Sequence, residues 1–394
     1  MNKLRLGALG LGPRGRNMIS AYSSHEEVEI AGLCDLFDKN LEAALLKLNN
    51  PSLPVYKDFD EMLDECQMDA LYIAMPPTIQ VDYACRAMER GLHVLCEPPC
   101  TYTTDECWKL VDTVEKTGIQ YMMAEQLRYG YCFKQWREMY DSGEFGKMLF
   151  VEGQYTHYEK WGFYTHRETG DVVTDLENFE ADKRYSDIKF DTDKKFQASD
   201  FTTNWRHDTF SHPIYYLPHE LSPILSVFND RVTEVTCYGN ELEVALMRTE
   251  KDAIIRLMTA FSTYCHSGHW FHFMGSKIGV ESSRIGYDDF AISVPLLWTK
   301  DNGWEKRPDW TYAHTDAEEL ARNSGHGGMD WYPIRNFVNM ILHGGPNTMD
   351  VYRAVETAAP AIIAAQSCEL GGVKLQIPDF RAKYGRDINK AYKI

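Results

Sequence analysis

The chain has 394 residues, 44% of them hydrophobic and 25% charged, which suits a folded protein of two domains better than one oversized core. A formal net charge of -17 and a pI near 5.2 argue against nucleic acid as a partner, because affinity for a phosphate backbone rests on lysine and arginine. No uninterrupted apolar stretch approaches the length of a membrane span, and 10 cysteines without paired spacing suit reduced, packed thiols, so no membrane partner and a cytoplasmic location are expected.

The first element is a short buried strand, Leu4, Leu6, Ala8 and Leu9, entered without the cationic and apolar regions of an export signal. It runs into the turn Gly10-Leu11-Gly12-Pro13-Arg14-Gly15 and an amphipathic stretch through Tyr22. A second strand, VEIAGLCD, ends in Asp35, about twenty residues past Gly15. Strand, glycine turn, helix, strand and acid in this order form a dinucleotide-binding pattern. Gly10 permits the tight turn, Gly12 lets a pyrophosphate approach the backbone N–H groups, and Gly15 lets helix pack on strand; Pro13 and Arg14 complete the loop. Asp35 is placed to accept from the adenosine ribose and to repel a 2'-phosphate, so NAD is the expected cofactor, with Arg14 and Arg16 as the residues that could favour NADP instead.

Alternating units continue: DALYIAMPP is a strand ending at Pro76-Pro77, IQVDYACRAMERG a helix closed by Gly91, and HVLCEPP another strand. Thr103 and Glu106 have capping-box spacing at the start of a helix that Gly118 stops, and QYMMAEQ reads as the next strand. This predicts an α/β Rossmann domain, a doubly wound parallel sheet, over residues 1–125. Ligands of such sheets sit beyond the carboxyl ends of the strands, where Pro76, Glu97 and Gln126 fall.

Gly10-x-Gly12-x-x-Gly15, Asp35, Met75-Pro76-Pro77, Gly91-x-His93-Val94 and Glu97-x-Pro99 together resemble the Gfo/Idh/MocA family of NAD(P)-dependent oxidoreductases. The resemblance implies a second domain, here 126–394, with an open, mostly antiparallel α+β sheet that builds the substrate pocket and often an oligomer interface, so a homo-oligomer is expected. MLFVEGQYTH, VTEVTCYG, AIIRLMTAFST and WFHFMGSKIGVE are readable as its strands, with helices after Asp330 and Asp350. Two features depart from the family's dehydrogenases. Pro98 stands where Glu-Lys-Pro carries a working lysine, and it has neither a titratable group nor an N–H. Tyr215 stands where an aspartate of the second domain is usual, although His219 is kept.

Cys107-Trp108, MMAEQLRYG, GEFGKMLFVEGQYTH, Trp205-Arg206, YYLPHELSP and GHGGMDW are similar to glycoside hydrolase family 109, the NAD-dependent alpha-N-acetylgalactosaminidases of the same superfamily, whose members also lack the lysine. What this branch implies is a sugar or glycoside substrate cleaved by transient C3 oxidation, C2 deprotonation, elimination, hydration and re-reduction, an exception to the two-carboxylate rule for glycosidases. By resemblance Tyr155, Tyr216 and His219 are the acid/base candidates, and His157, Trp205, Arg206 and His326 the substrate-binding ones. Tyr155 and His157 share one face of a strand, and Tyr216 and His219 are neighbours if their segment is helical. Asp330 in GHGGMD could instead cap the helix that follows, with the glycines serving only the turn. CHSGHWFHF has metal-like histidine spacing, but a strand exit explains it, and no metal site is expected. Residues 159–204, mixing aromatics and charges without period, are expected to form an elaborated loop or lid. A non-hydrolytic NAD-dependent sugar dehydrogenase and a non-catalytic NAD-binding regulator stay open as alternatives.

Overall fold

A computed structural model of the chain describes residues 3–156, 164–167, 172–173, 201–203, 212–261, 268–282, 295–310 and 319–388. The N-terminal sheet has six strands: β1 (Leu4–Leu9), β2 (Val28–Cys34), β3 (Val55–Tyr56), β4 (Ala70–Ile73), β5 (His93–Cys96) and β6 (Tyr121–Met123). They lie in the order β3-β2-β1-β4-β5-β6, all pairs parallel. Order reverses between β1 and β4, and that switch point opens a crevice at the carboxyl ends. Strands β4 and β6 are buried at every residue, because helices cover both faces, and so they read as continuous apolar runs. The helix Thr104–Thr117 starts with the expected capping box, Thr103 and Glu106 each accepting the other's backbone N–H, and stops at Gly118 with φ 69.

Among the described residues the second sheet has nine strands, β7 (Met148–Thr156), β11 (Val232–Gly239), β12 (Leu242–Thr249), β13 (Ile254–Ala260), β14 (Gly268–Gly275), β15 (Gly279–Glu281), β16 (Leu296–Thr299), β17 (Gly303–Lys306) and β18 (Leu375–Gln376). All pairs are antiparallel except β7 with β13. Strand β12 was not among the sequence expectations, although LEVALMRT alternates buried and exposed residues with period 2. One face packs on the helices Pro218–Phe228 and Val351–Glu369, while Tyr238, Leu246, Trp298 and Trp304 remain exposed. A Cβ at Gly153 would stand 2.6 Å from Leu257 Cδ2 on the neighbouring strand and in ordinary contact, 3.5 Å, with Glu220 Cγ of the helix Pro218–Phe228.

Within 159–204 the described strands are β8 (Tyr164–His166) and β9 (Val172–Val173), which join β10 (Phe201–Thr203) in a small antiparallel sheet. Apart from Arg167, the rest of that segment lies outside the described residues. The helix Trp331–His343 returns to the first domain, where Trp331 stacks on His25 with ring centroids 5.2 Å apart and His343 Nε2 lies 2.9 Å from Glu27 Oε1. Among the described residues no helix is long and apolar enough to cross a membrane.

Candidate active site

The glycine turn has the geometry its spacing predicts. Gly10 has φ +86 and a Cβ there would stand 2.4 Å from the Ala74 carbonyl oxygen; at Gly15 a Cβ would stand 2.0 Å from the Gly10 carbonyl oxygen. Gly12 differs, because a Cβ there meets nothing within 4 Å. Protein packing explains glycine at 10 and 15, whereas at 12 the bare backbone faces open space at the start of the helix Pro13–Ser23, where an anion's oxygens approach N–H groups. Gln126 supplies a second sign of a ligand: it is 5% exposed, and its amide oxygen accepts no hydrogen bond among the described residues. These residues fit a bound dinucleotide.

Asp35 ends β2 as a buried carboxylate that accepts from Leu11 N–H at 2.6 Å, Phe37 N–H at 2.9 Å and the Asn40 side chain at 3.0 Å. It thus fastens the glycine turn to the second strand while keeping negative charge at the ribose position. The cations nearby are committed elsewhere. Arg16 donates to the Leu11 carbonyl at 2.8 Å and to Asn40 Oδ1 at 3.1 Å; Arg14 donates to Glu97 at 2.9 Å and to Asp330 at 2.8 Å. Neither is poised to neutralise a 2'-phosphate, so titration is expected to show NAD binding more tightly than NADP. Gly12→Ala should weaken NAD binding while leaving the melting temperature unchanged, since the added methyl meets only ligand; equal NAD affinity in the variant would show that the loop does not hold the pyrophosphate.

Glu97, on the exit of β5, is held from two sides, accepting from Tyr72 O–H at 2.8 Å as well as from Arg14. The turn that follows is tied down by Gln80, whose amide donates to the Pro99 carbonyl, and Pro76 likewise accepts Ile79 N–H and Gln80 N–H with its carbonyl. Pro98 therefore sits in a rigid strand exit and contributes shape only.

Asp330 corrects one expectation. It does not cap the helix Trp331–His343: its φ and ψ are helical and its side chain makes no capping bond, while Ser324 Oγ accepts the Trp331 N–H at 3.2 Å instead. The Asp330 carboxylate turns back to Arg14 and to His326 Nδ1, 3.1 Å away. Burial alone would raise this carboxyl, but the Arg14 and His326 charges overcome it and hold Asp330 well below the usual carboxylate range. Gly325 leaves room for the bend, since a Cβ there would stand 2.3 Å from Asp330 Oδ2. His326 keeps a half-exposed ring while that one nitrogen orients it.

The acid/base candidates converge. Tyr155 on β7 is paired across the ladder with His269 on β14. The 3-10 turn Pro213–Tyr216 and the helix Pro218–Phe228 bring Tyr216 and His219 over it; the two lie on successive helical pieces rather than on one helix. Ring centroids separate Tyr155 from Tyr216 by 5.6 Å, Tyr155 from His219 by 5.7 Å and Tyr216 from His219 by 5.9 Å. Tyr215 points elsewhere and stacks on Tyr102 at 4.5 Å. His157, Trp205 and Arg206 lie outside the described residues.

Two buried carboxyl groups join this cluster. Glu125, just past β6, accepts Leu127 N–H at 3.0 Å with one oxygen, and its other oxygen lies 2.8 Å from His219 Nδ1. Glu220 Oε1 lies 2.5 Å from His269 Nδ1. Burial first, and the Glu125 charge second, push the Glu220 carboxyl well above the ordinary range, which favours its protonated form. Glu220 and His269 were not among the sequence candidates. A glutamate within the apolar run of PHELSPIL is a signal that could have found the first, because a charged residue on an apolar helix is rarely buried without a partner.

Known proteins resemble the chain in both of its parts. Residues 4–125 match the model of the oxidoreductase family with an NAD-binding Rossmann fold, Gfo/Idh/MocA, and residues 268–385 match the glycosyl hydrolase 109 C-terminal domain. A glycosyl hydrolase family 109 protein of Shewanella putrefaciens is 26% identical over 96% of this chain and 85% of its own length. A Shewanella oneidensis protein named alpha-N-acetylgalactosaminidase is 25% identical with the same coverage. Among solved structures, the WlbA dehydrogenase of Bordetella pertussis, crystallised with NADH and UDP-GlcNAcA, superposes with a TM-score of 0.67 at 17% identity, covering 96% of this chain and 99% of that one. Myo-inositol 2-dehydrogenase from Lactobacillus plantarum also gives 0.67, at 18% identity, covering 96% of this chain and 100% of that one; both likenesses concern the fold. With a dinucleotide cradle of this type at one end and a likeness to the glycosyl hydrolase 109 C-terminal domain at the other, the chain is an enzyme whose residues 4–125 form an NAD-binding Rossmann domain of the Gfo/Idh/MocA oxidoreductase type and whose overall sequence is similar to glycosyl hydrolase family 109 proteins.

Proposed function

We propose that this enzyme cleaves a glycoside by transient oxidation at C3 of the sugar. The observation that carries the reading is the meeting of Tyr155, Tyr216 and His219 beside the carboxyl end of β6, in a chain with no lysine at position 98. When bound, NAD supplies a hydride acceptor for C3 and the donor for its return, while the C3 hydroxyl proton passes to solvent and comes back on re-reduction. A ketone at C3 acidifies the neighbouring C2–H, and His219, whose Nδ1 lies beside the Glu125 carboxylate, takes that proton. The hydroxyls of Tyr155 and Tyr216 serve as donors to the leaving oxygen at C1, and water then adds in its place. Glu220, with its proton, holds His269 against Tyr155, which fixes the tyrosine ring from the sheet side. Gly10, Gly12, Pro13, Arg14, Gly15, Asp35, Pro76, Glu97 and Gln126 hold the cofactor directly or shape its loop.

The test is cleavage of an aryl glycoside in deuterated water, beginning with the alpha-N-acetylgalactosaminide suggested by the Shewanella relative's name. The sugar released should carry deuterium at C2, because the abstracted proton exchanges before it returns, and cleavage should not consume stoichiometric NAD. Cleavage without C2 exchange, unaffected by stripping NAD, would rule the mechanism out. Accumulation of free NADH and of a keto sugar without release of the aglycone would assign the enzyme to the non-hydrolytic sugar oxidoreductases.

A further inference from the structure

A second cluster of ligating side chains lies at the far end of the segment that leads into Tyr216. His212 Nδ1, Glu243 and Cys368 Sγ offer one ligand atom each, all within 4.8 Å of one another. They come from three separate places: His212 just before the turn Pro213–Tyr216, Glu243 on β12, and Cys368 in the last turn of the helix Val351–Glu369. Glu243 is fully buried, with side-chain exposure of 0%, which is costly for a carboxylate lacking positive charge nearby.

We propose that His212, Glu243 and Cys368 bind a divalent cation of the zinc class. The surroundings are those of a metal site in three respects. Glu243 is oriented by the Ile214 N–H, which donates to Oε2 at 2.8 Å and leaves Oε1 facing His212 Nδ1 at 2.7 Å, so a cation would take the place of the proton between those atoms. His212 has its outward nitrogen, Nε2, 3.3 Å from Glu369 Oε1, the carboxylate–histidine arrangement that steadies metal-bound imidazoles. Cys237, a buried thiol on β11, adjoins Cys368 and sets a second sulfur beside the three.

Ligand chemistry selects the cation. A thiolate, an imidazole and one carboxylate suit zinc rather than calcium or magnesium, which take oxygen ligands. Coordination releases the Cys368 proton to solvent and leaves His212 neutral, so one thiolate and one carboxylate balance the two positive charges. The consequence is mechanical: the cation ties the segment before Tyr216 and His219 to the sheet and to the last long helix.

Reduced, metal-stripped full-length protein should bind Co2+ added alone in equimolar amount, with a thiolate-to-cobalt charge-transfer band that Zn2+ abolishes by displacement. Cys368→Ser should remove the band. His212→Ala, at a partly exposed position that the fold tolerates, should weaken Co2+ binding by more than the roughly 10–100-fold that loss of an outer-shell partner costs. Absence of the band in the reduced wild type, its persistence in Cys368→Ser, or unchanged affinity in His212→Ala would each overturn the assignment.

Discussion

His219→Ala is expected to lower aryl-glycoside cleavage and C2 deuterium exchange together, by about 10²-fold or more, the usual contribution of a positioned general base. The expectation rests on place as much as on residue type. His219 lies 2.8 Å from Glu125 and within ring contact of both tyrosines, with its side chain only 13% exposed. Proton transfer cannot come from position 98, so Pro98→Ala should leave both rates near wild type. Parallel loss of cleavage and exchange identifies the base, whereas loss of cleavage with normal exchange would move His219 to the leaving-group step. A variant with normal turnover and exchange would make the histidine structural. NAD affinity and melting temperature, measured on the same variant, separate loss of chemistry from loss of fold.

Arg14→Met should produce the largest stability change in the cofactor loop, a loss of about 3–5 kcal/mol at neutral pH, because removing the cation leaves Glu97 and Asp330 buried without it. The two carboxylates come from opposite ends of the sequence, and Arg14 is the charge that joins them. The pH dependence of this loss has a definite sign. In the wild type Asp330 is held below its ordinary value of 3.8, so its contribution is present above that pH and fades as pH falls through the lowered value. In the variant, burial without the arginine raises the same carboxyl and the protonated form is favoured, so the variant is penalised most at neutral pH and recovers on acidification. The gap between wild type and variant in denaturant unfolding should therefore shrink from pH 7 toward about pH 4. A constant gap across that range would mean that Arg14 stabilises the fold by packing alone. NAD affinity should fall in parallel, since the same ion pairs anchor the residues around Gly325 to the glycine turn.

Much of the first domain is legible in the sequence because it is local. A glycine that needs φ +86 at position 10, an acid ending the second strand, a capping box at Thr103 and Glu106, and apolar runs bounded by turns all act over a few residues or one strand–helix unit. The cofactor class follows from them by backbone geometry. Period-2 alternation marks β13, and it is equally present in LEVALMRT, the stretch that forms β12. What only the tertiary structure decided is which distant side chains meet. Asp330 looks like a helix cap in sequence; the fold returns its helix to the first domain, and a partly buried arginine then outweighs the N–H groups as a partner for the carboxylate. Tyr155 on a strand and Tyr216 and His219 on two helical pieces become one cluster because the helix Pro218–Phe228 packs on β7. Glu125 with His219, Glu220 with His269, and His212 with Glu243 and Cys368 are pairings with no spacing rule, since each joins elements that approach only when the sheets pack. Local backbone chemistry is written in neighbouring residues, whereas charge and proton partners are chosen by burial, which belongs to the folded chain as a whole.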